Sequence, residues 1–261
     1  PSWSPDGRQT AYVGFGAQTG RLMVADLAGN ARRIGELDNA FSFAPTWLAD
    51  GRLVATTEGS QSVAVIAPGG TISSIATGQQ GTHMVVVAPD NRTAYTANIA
   101  SGTVSVLDLA AGKKLRDLAV GGKPEGLSLT KGGRELWVGD LSAPRVQVWD
   151  TAKGEKITEL AVDPVAIRVL ASPDGKWVAT SNIGKGTISL FDAETRAPVK
   201  LIAVSEGDAA RQVTLLWSRD SKRLYAAETG VDKVAEIDVA TGTVLRRIAA
   251  GTNGDGLAIA P

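Results

Sequence analysis

The sequence predicts an all-β fold built from repeated four-stranded units, a β-propeller, and three observations support this prediction. A polar turn recurs six times along the 261 residues, at spacings of 44, 40, 42, 42 and 46 residues. Each interval contains four short β-type runs, and a repeat of about 40–45 residues with four strands is typical of a propeller blade. No long segment with helical periodicity interrupts the repeats. The six turns are centred on Asp6, Asp50, Asp90, Gly132, Asp174 and Asp220.

The third repeat shows the four strands most clearly. An apolar run at 83–88 predicts the innermost strand, and Pro89-Asp90-Asn91 then supplies residues that favour a tight turn. The second and third strands are predicted at 93–97 and 103–107, where apolar and polar residues alternate with a period of two. The outer strand follows at 114–120. The fourth, fifth and sixth repeats have the same order.

The two ends of the chain bear on the number of blades. The chain starts with an inner-strand pattern, Ser2-Trp3-Ser4, and it ends with another one at 256–260. Six repeats plus a surplus inner strand predict seven blades, with the other strands of the closing blade lying before Pro1. A six-bladed ring is the alternative. In either case the repeats need one another for stability, so we expect one domain over 1–261.

Composition excludes several classes of function. Lys and Arg total 27, as do Asp and Glu, and no run of five like charges occurs, which argues against a nucleic-acid partner. No apolar stretch approaches the roughly 18 residues of a spanning helix, so no membrane insertion is expected. The absence of cysteine excludes disulfides, thiol catalysis, iron–sulfur clusters and cysteine-ligated zinc. We expect no cofactor.

Two sets of residues recur at fixed positions, and for both the predicted role is structural. Aromatic side chains that recur at a fixed register are what packing between neighbouring blades requires. Three lie three residues before the turn centre, Trp3, Trp47 and Trp217, and three lie five residues after it, Tyr95, Trp137 and Tyr225. An aspartate closes the third strand in five repeats, where it can accept hydrogen bonds from the backbone of the following turn. These aspartates are Asp26, Asp108, Asp150, Asp192 and Asp238.

The repeats resemble a known family. The segment 95–98, Tyr-Thr-Ala-Asn, followed by Gly-Thr-Val-Ser-Val-Leu-Asp at 102–108, is similar to the YVTN-type β-propeller repeat, and 179–192 is similar to it as well. The first repeat, 1–8, looks more like the propeller repeats of the TolB type. The resemblance implies a periplasmic or extracellular protein. It also implies distant relatives among sugar-lactone hydrolases and haem d1-type propellers.

Polar residues at the start of the inner strands form the candidate site, because propeller ligands usually sit over the central channel. His83, Glu125 and Asp255 each lie seven residues before a turn centre or its extrapolated position, and together they could bind a divalent cation. Lys123, Arg168 and Arg211 lie in the same connections and could bind an anion. The alternative interpretation is a solvated channel entrance with ordinary polar residues.

The leading functional hypothesis is a non-catalytic binding or scaffolding propeller. It would present one face or the channel mouth to a protein or small-molecule partner. A lactonase-like hydrolase is the first alternative, and it requires convergence of His83, Glu125 and Asp255. A haem d1 or dehydrogenase-subunit propeller is the second. The single histidine and the missing cysteines weigh against this second alternative.

Overall fold

The structure is a computed structural model that describes residues 1–15, 19–38, 45–205 and 209–259. Its strands form six four-stranded antiparallel sheets, each made of four strands consecutive in sequence, so the predicted all-β propeller of four-stranded blades is confirmed. We number the blades 1 to 6 in chain order. Within each blade the first strand is called the inner strand and the fourth the outer strand. The chain divides into two compact units.

The first unit contains blades 1 to 3, over Pro1–Pro124 together with the described residues from Ala258 onward. Its strands are β1 Ser2–Trp3, β2 Gln9–Phe15, β3 Thr19–Asp26, β4 Ala31–Asp38, β5 Thr46–Trp47, β6 Leu53–Thr57, β7 Ser62–Ile66, β8 Ile72–Ala76, β9 Thr82–Val87, β10 Thr93–Asn98, β11 Thr103–Asp108 and β12 Lys113–Leu118. A single 3₁₀ turn, Glu58–Ser60, follows β6. The strands β9 to β12 lie within two residues of the bounds that the sequence predicts.

The second unit contains blades 4 to 6, over Glu125–Leu257. Its strands are β13 Pro124–Thr130, β14 Glu135–Asp140, β15 Arg145–Asp150, β16 Glu155–Ala161, β17 Ala166–Ala171, β18 Trp177–Asn182, β19 Thr187–Asp192, β20 Pro198–Ala203, β21 Gln212–Trp217, β22 Arg223–Glu228, β23 Lys233–Asp238 and β24 Thr243–Ala249. Single 3₁₀ turns occupy Lys131–Gly133 and Thr229–Val231. Because the division separates two groups of blades, the prediction of one domain over 1–261 stays a prediction.

The hydrophobic cores lie between neighbouring blades. Blades 5 and 6 share a buried cluster that includes Leu190, Leu215 and Trp217, and blades 4 and 5 share one that includes Trp137 and Phe191. Corresponding clusters join blade 1 to blade 2 and blade 2 to blade 3. A four-stranded sheet is apolar on both faces here, so each blade depends on its neighbours to keep those faces from water.

The expected seventh inner strand is absent from the described residues. Residues 256–259 form no strand, and the six sheets already contain all 24 strands, so the described part of the chain has six blades. The seven-bladed expectation is therefore not confirmed, whereas the six-bladed alternative fits. The physical reason is that an apolar run becomes a strand only when a neighbouring strand accepts and donates its backbone hydrogen bonds.

The recurring aspartates have the structural role that was predicted. Asp108 Oδ1 accepts hydrogen bonds from the backbone N–H groups of Ala110 and Ala111, at 3.0 and 2.9 Å. Asp192 Oδ1 does the same for Glu194 and Thr195, at 3.0 and 2.7 Å. The carboxylates of Asp26, Asp150 and Asp238 likewise accept from the turns that follow them. No described helix is long and apolar enough to cross a membrane.

Three of the recurring aromatic side chains, Trp47, Trp137 and Trp217, pack in cores that two blades share, and the set is buried to different depths. Trp137, Tyr95 and Trp217 are buried, with 0%, 4% and 3% of their surface exposed, whereas Trp3 and Trp47 are half-buried. Trp217 Nε1 donates to the Leu170 carbonyl of the preceding blade at 3.2 Å, and Trp47 Nε1 donates to the Ser2 carbonyl at 3.1 Å. These indoles therefore join adjacent inner strands, as inter-blade packing predicts.

Candidate functional site

Three of the six predicted site residues come together in the second unit, at the beginning of the inner strands. Glu125 is the second residue of β13, and Arg168 is the third residue of the neighbouring inner strand β17. The Arg168 guanidinium donates through Nη1 to Glu125 Oε1 and also to the Ile167 carbonyl. With side-chain exposures of 13% and 7%, Arg168 and Glu125 form an ion pair that is largely out of water.

Small residues on the first two strands of blade 4 let them approach the inner strand β17 closely enough for this pair. A Cβ atom on Gly126 would lie 2.7 Å from the backbone nitrogen of Val169, and one on Gly139 would lie 2.6 Å from the Ala166 carbonyl oxygen. Ser128 Oγ also accepts a hydrogen bond from the Ala171 N–H at 2.9 Å. Glycine at positions 126 and 139 is therefore required by close backbone approach.

Asp255 completes the cluster from the segment that follows β24. Its Oδ1 accepts a hydrogen bond from Thr214 Oγ1 of β21 at 2.8 Å, and its Oδ2 lies 4.0 Å from Arg168 Nη2. The Asp255 side chain is 42% exposed, so it is the accessible member of the cluster. Arg168 thus lies between one buried carboxylate that binds it directly and one exposed carboxylate that touches it loosely.

The two remaining basic candidates of this region are exposed, and each directly precedes an inner strand. Lys123 precedes β13 and Arg211 precedes β21. The backbone of Arg211 has φ 46°, in the left-handed region, and its carbonyl accepts the Thr229 N–H at 3.3 Å. This local bond fixes the turn from which the Arg211 side chain projects.

His83 lies in the first unit, where it connects blades 2 and 3. Its Nδ1 is 3.0 Å from Glu58 Oε2, and its carbonyl accepts a hydrogen bond from Thr56 Oγ1 at 2.6 Å. The His83 side chain is 12% exposed. Its position and partners are those of a side chain that holds neighbouring blades together.

The metal interpretation finds no support in the described part of the chain. No group of three or more His, Asp or Glu side chains is placed there so that it could hold a metal ion. Arg168 is a sequence candidate for binding an external anion, whereas in the structure Arg168 binds Glu125. The solvated-entrance interpretation fails for Glu125 as well, because this residue is 5% exposed.

Two residues of these contacts, Glu58 and Thr214, were missed by the sequence reasoning. A signal for Glu58 was present, because a polar residue recurs eight positions after the turn centre in five repeats. These residues are Glu58, Asn98, Asp140, Asn182 and Glu228, and the last four are buried. Asn98 and Asn182 donate to side chains of the third strand, as when Asn182 Nδ2 donates to Thr187 Oγ1 and Ser189 Oγ. No comparable pattern marks Thr214.

Comparison with known proteins supports the fold and no more. No protein-family model matches the chain, so membership of the YVTN-type family is not confirmed. No curated protein matches it either. By contrast, 1486 chains of solved structures match, and a fold shared so widely does not indicate an activity.

One of these structures is Kuenenia stuttgartiensis hydrazine synthase. The match covers 96% of this chain and 86% of that chain, with a TM-score of 0.79 and 16% sequence identity. The four-stranded blades and this similarity together define the class of the protein as a β-propeller.

Proposed function

We propose that this chain is a non-catalytic binding propeller whose second unit takes an acidic group of a protein or small-molecule partner where the inner strands begin. The observation that carries the proposal is the arrangement around Arg168. The guanidinium is held by the buried Glu125, while Nη2 faces Asp255 at 4.0 Å, beyond the distance of a hydrogen bond. That nitrogen therefore has donor capacity that a ligand carboxylate or phosphate can use.

Asp255 acts in this proposal as an internal competitor. Its carboxylate occupies the position next to Arg168 that an incoming anion would take, and its 42% exposure lets it move aside. The exposed Arg211 adds a second positive charge near the start of β21. Arginine suits this role because its planar group binds carboxylates and phosphates with two parallel hydrogen bonds.

The test is calorimetric titration with citrate, succinate and inorganic phosphate at low ionic strength. Asp255→Asn should bind at least one of these anions more tightly than the unchanged protein, because it removes the competing charge. Arg211→Ala should bind it more weakly. Arg219→Ala, an exposed arginine in the turn after β21, is the matched control and should behave as the unchanged protein does. Equal affinities in all four proteins, or no binding, would contradict the proposal.

The geometry does not favour the alternatives, a lactonase-like hydrolase and a haem d1 or dehydrogenase-subunit propeller. Glu125 is already engaged by Arg168, and the chain has one histidine and no cysteine to hold a metal or haem. Elemental and optical analysis of the protein purified from its source separates the functions. A stoichiometric metal or a chromophore in the purified protein would favour the hydrolase or the cofactor-carrying propeller over the binding propeller.

We also propose a periplasmic or extracellular location, which rests on the resemblance of the repeats to the YVTN type. Fractionation of the source organism, followed by immunodetection, tests it directly. Detection in the cytoplasmic fraction alone would exclude this location.

A further inference from the structure

A cavity lies between blades 1 and 2, in the first unit, and none of the six candidate site residues lines it. Its volume is about 380 Å³, at the lower end of the range of small-molecule sites. The buried side chains of Val24, Leu53 and Ile66 form its apolar floor, and the half-buried Trp47 forms one wall. The bond from Trp47 Nε1 to the Ser2 carbonyl fixes the orientation of this indole.

The repeat provides an internal comparison for the basic residue at the rim, Arg32. Arg32 pairs with Val24 on the outer strand of blade 1, and Lys200 pairs with Leu190 at the same register of blade 5. Lys200 reaches across to the next blade, where its Nζ donates to the Ala240 carbonyl at 2.5 Å and lies 3.4 Å from that of Val239. In blade 5 the basic side chain therefore closes the groove.

Arg32 does not close its groove. The residues equivalent to Val239 and Ala240, directly after the third strand, are Ala67 and Pro68, and both line the cavity together with Arg32. Among the described residues, the Arg32 side chain makes no hydrogen bond and no ion pair, and it is exposed. Lys200 uses its charged group to bind the next blade, whereas the Arg32 guanidinium has no such bond and is available at an open cavity.

The rim of this cavity also carries a negatively charged residue, Asp6, and one of its carboxylate oxygens has no partner among the described residues. Asp6 Oδ1 accepts from Ser4 Oγ at 2.6 Å and from the Arg8 N–H at 3.1 Å, whereas Oδ2 has no partner in the described part of the chain. Asp50, the other acid at the rim, is held by Arg52 Nε at 2.8 Å. Asp6 and Arg32 line the same cavity without forming an ion pair with each other, so they are two separate anchors of opposite sign.

We infer that this cavity binds a zwitterion with an apolar side chain, that is, a free apolar α-amino acid. Arg32 would bind the carboxylate, Asp6 Oδ2 the ammonium group, and Trp47 with the aliphatic floor the side chain. A charge-assisted hydrogen bond contributes about 1.5–3 kcal/mol, which corresponds to a loss of about tenfold or more in affinity when either anchor is removed.

The experiment is calorimetric titration of the full chain with L-phenylalanine, with 3-phenylpropanoate, which lacks the ammonium group, and with phenethylamine, which lacks the carboxylate. We expect L-phenylalanine to bind at least tenfold more tightly than either fragment. Arg32→Ala should weaken the binding of L-phenylalanine at least tenfold and leave that of phenethylamine unchanged. Asp6→Asn should weaken L-phenylalanine binding and leave 3-phenylpropanoate binding unchanged; the asparagine keeps the acceptor for Ser4 and Arg8.

Arg33→Ala is the matched control. Arg33 is the next residue of the same strand, exposed and paired with Glu36, and its side chain does not line the cavity. It should bind all three compounds as the unchanged protein does, and thermal melts of all variants establish that they are folded. Absence of L-phenylalanine binding, or equal binding by the folded Arg32→Ala and Arg33→Ala proteins, would overturn the inference.

Discussion

At the scale of single residues, a position in the repeat has the same structural role in most blades, and in a few blades a different residue at that position has a different role. The aspartate that closes the third strand accepts backbone hydrogen bonds in every blade that carries it, and this explains its recurrence. Glu125 and Arg168 show the opposite behaviour, because a glutamate and an arginine at these two positions occur in one repeat each, and they pair between blades 4 and 5. Residues that depart from the repeat are therefore where we place binding.

The Glu125–Arg168 pair allows a prediction on stability. Removal of one partner leaves an uncompensated buried charge, so Arg168→Ala should lower the free energy of unfolding by about 3–5 kcal/mol. The double variant Glu125→Gln/Arg168→Met should recover a large part of that loss, because neither charge remains. Urea denaturation of the unchanged protein, of the single variants Arg168→Ala, Glu125→Gln and Arg168→Met, and of the double variant measures this coupling. Additive losses would show that the pair does not interact in solution.

Asp108 allows a prediction on pH dependence. The hydrogen bond from Arg92, followed by that from the Ala111 N–H, lowers the pKa of Asp108 to about 2. Since its pKa in the unfolded chain is about 3.9, the carboxylate stabilises the fold fully above that pH, and the contribution is lost as the pH falls toward 2. Asp108→Asn should therefore reduce stability at neutral pH and flatten the loss of stability between about pH 4 and pH 2.

Arg92→Gln provides the control for this assignment. Without the guanidinium, the pKa of the Asp108 carboxyl, followed by NMR, should rise toward its ordinary value of about 3.9. An unchanged pKa would mean that Arg92 is not the main cause of the shift.

At the scale of the element, a strand is held both by its own sheet and by an indole from the next blade. Trp217 belongs to the core shared by blades 5 and 6, and its Nε1 bonds the Leu170 carbonyl of the preceding inner strand. Trp47 makes the equivalent bond to Ser2 between blades 1 and 2, but its ring also lines the open cavity. The tryptophan at this position therefore has a structural role between blades 5 and 6, whereas between blades 1 and 2 its ring is also accessible to a ligand.

The two tryptophans should differ in what they contribute to stability. Trp217→Ala should lower the free energy of unfolding by about 3–5 kcal/mol, as for other buried tryptophans, and Trp47→Ala should cost less because its ring is half-buried. Trp217→Phe keeps most of the apolar surface and leaves the Leu170 carbonyl without its donor, at a cost of about 1–3 kcal/mol. Guanidinium denaturation measures all three; equal losses for the two alanine variants would contradict the difference in burial.

At the scale of the whole molecule, each unit is stabilised by cores that belong to two blades at once. In the second unit, Leu190 of blade 5 is 2% exposed and packs into the cluster completed by blade 6. A blade therefore has no complete core of its own, and loss of one interface exposes two sheets.

Hydrogen exchange should reveal this sharing. Leu190→Ala should cost about 2–5 kcal/mol and should reduce amide protection in the strands of blades 5 and 6 together. Leu201→Ala, on the outer strand β20, is the control, because Leu201 is 59% exposed and should leave protection unchanged. Loss of protection confined to blade 5 would mean that the blades open independently.

Much of the fold follows from the sequence because the information is local and repeated. Turn residues at intervals of 40–46 positions and strands of period two specify four-stranded units, and the strands of the third repeat fall within two residues of their predicted bounds. The roles of the recurring aspartates and indoles could also be read from their register. The number of blades could not, because the apolar run at 256–260 is a strand by its composition, yet residues 256–259 pair with no strand in the described part of the chain.

The candidate sites depended on tertiary structure, since they join residues that are far apart in the chain. The sequence identified Glu125, Arg168 and Asp255 as candidates, but it grouped the two acids with His83, and the structure instead places Arg168 between them. The cavity at Arg32 and Trp47 has no sequence signal, because it depends on whether a long basic side chain reaches its neighbouring blade. Packing between blades decides that, and the same register gives a closed groove at Lys200 and an open one at Arg32.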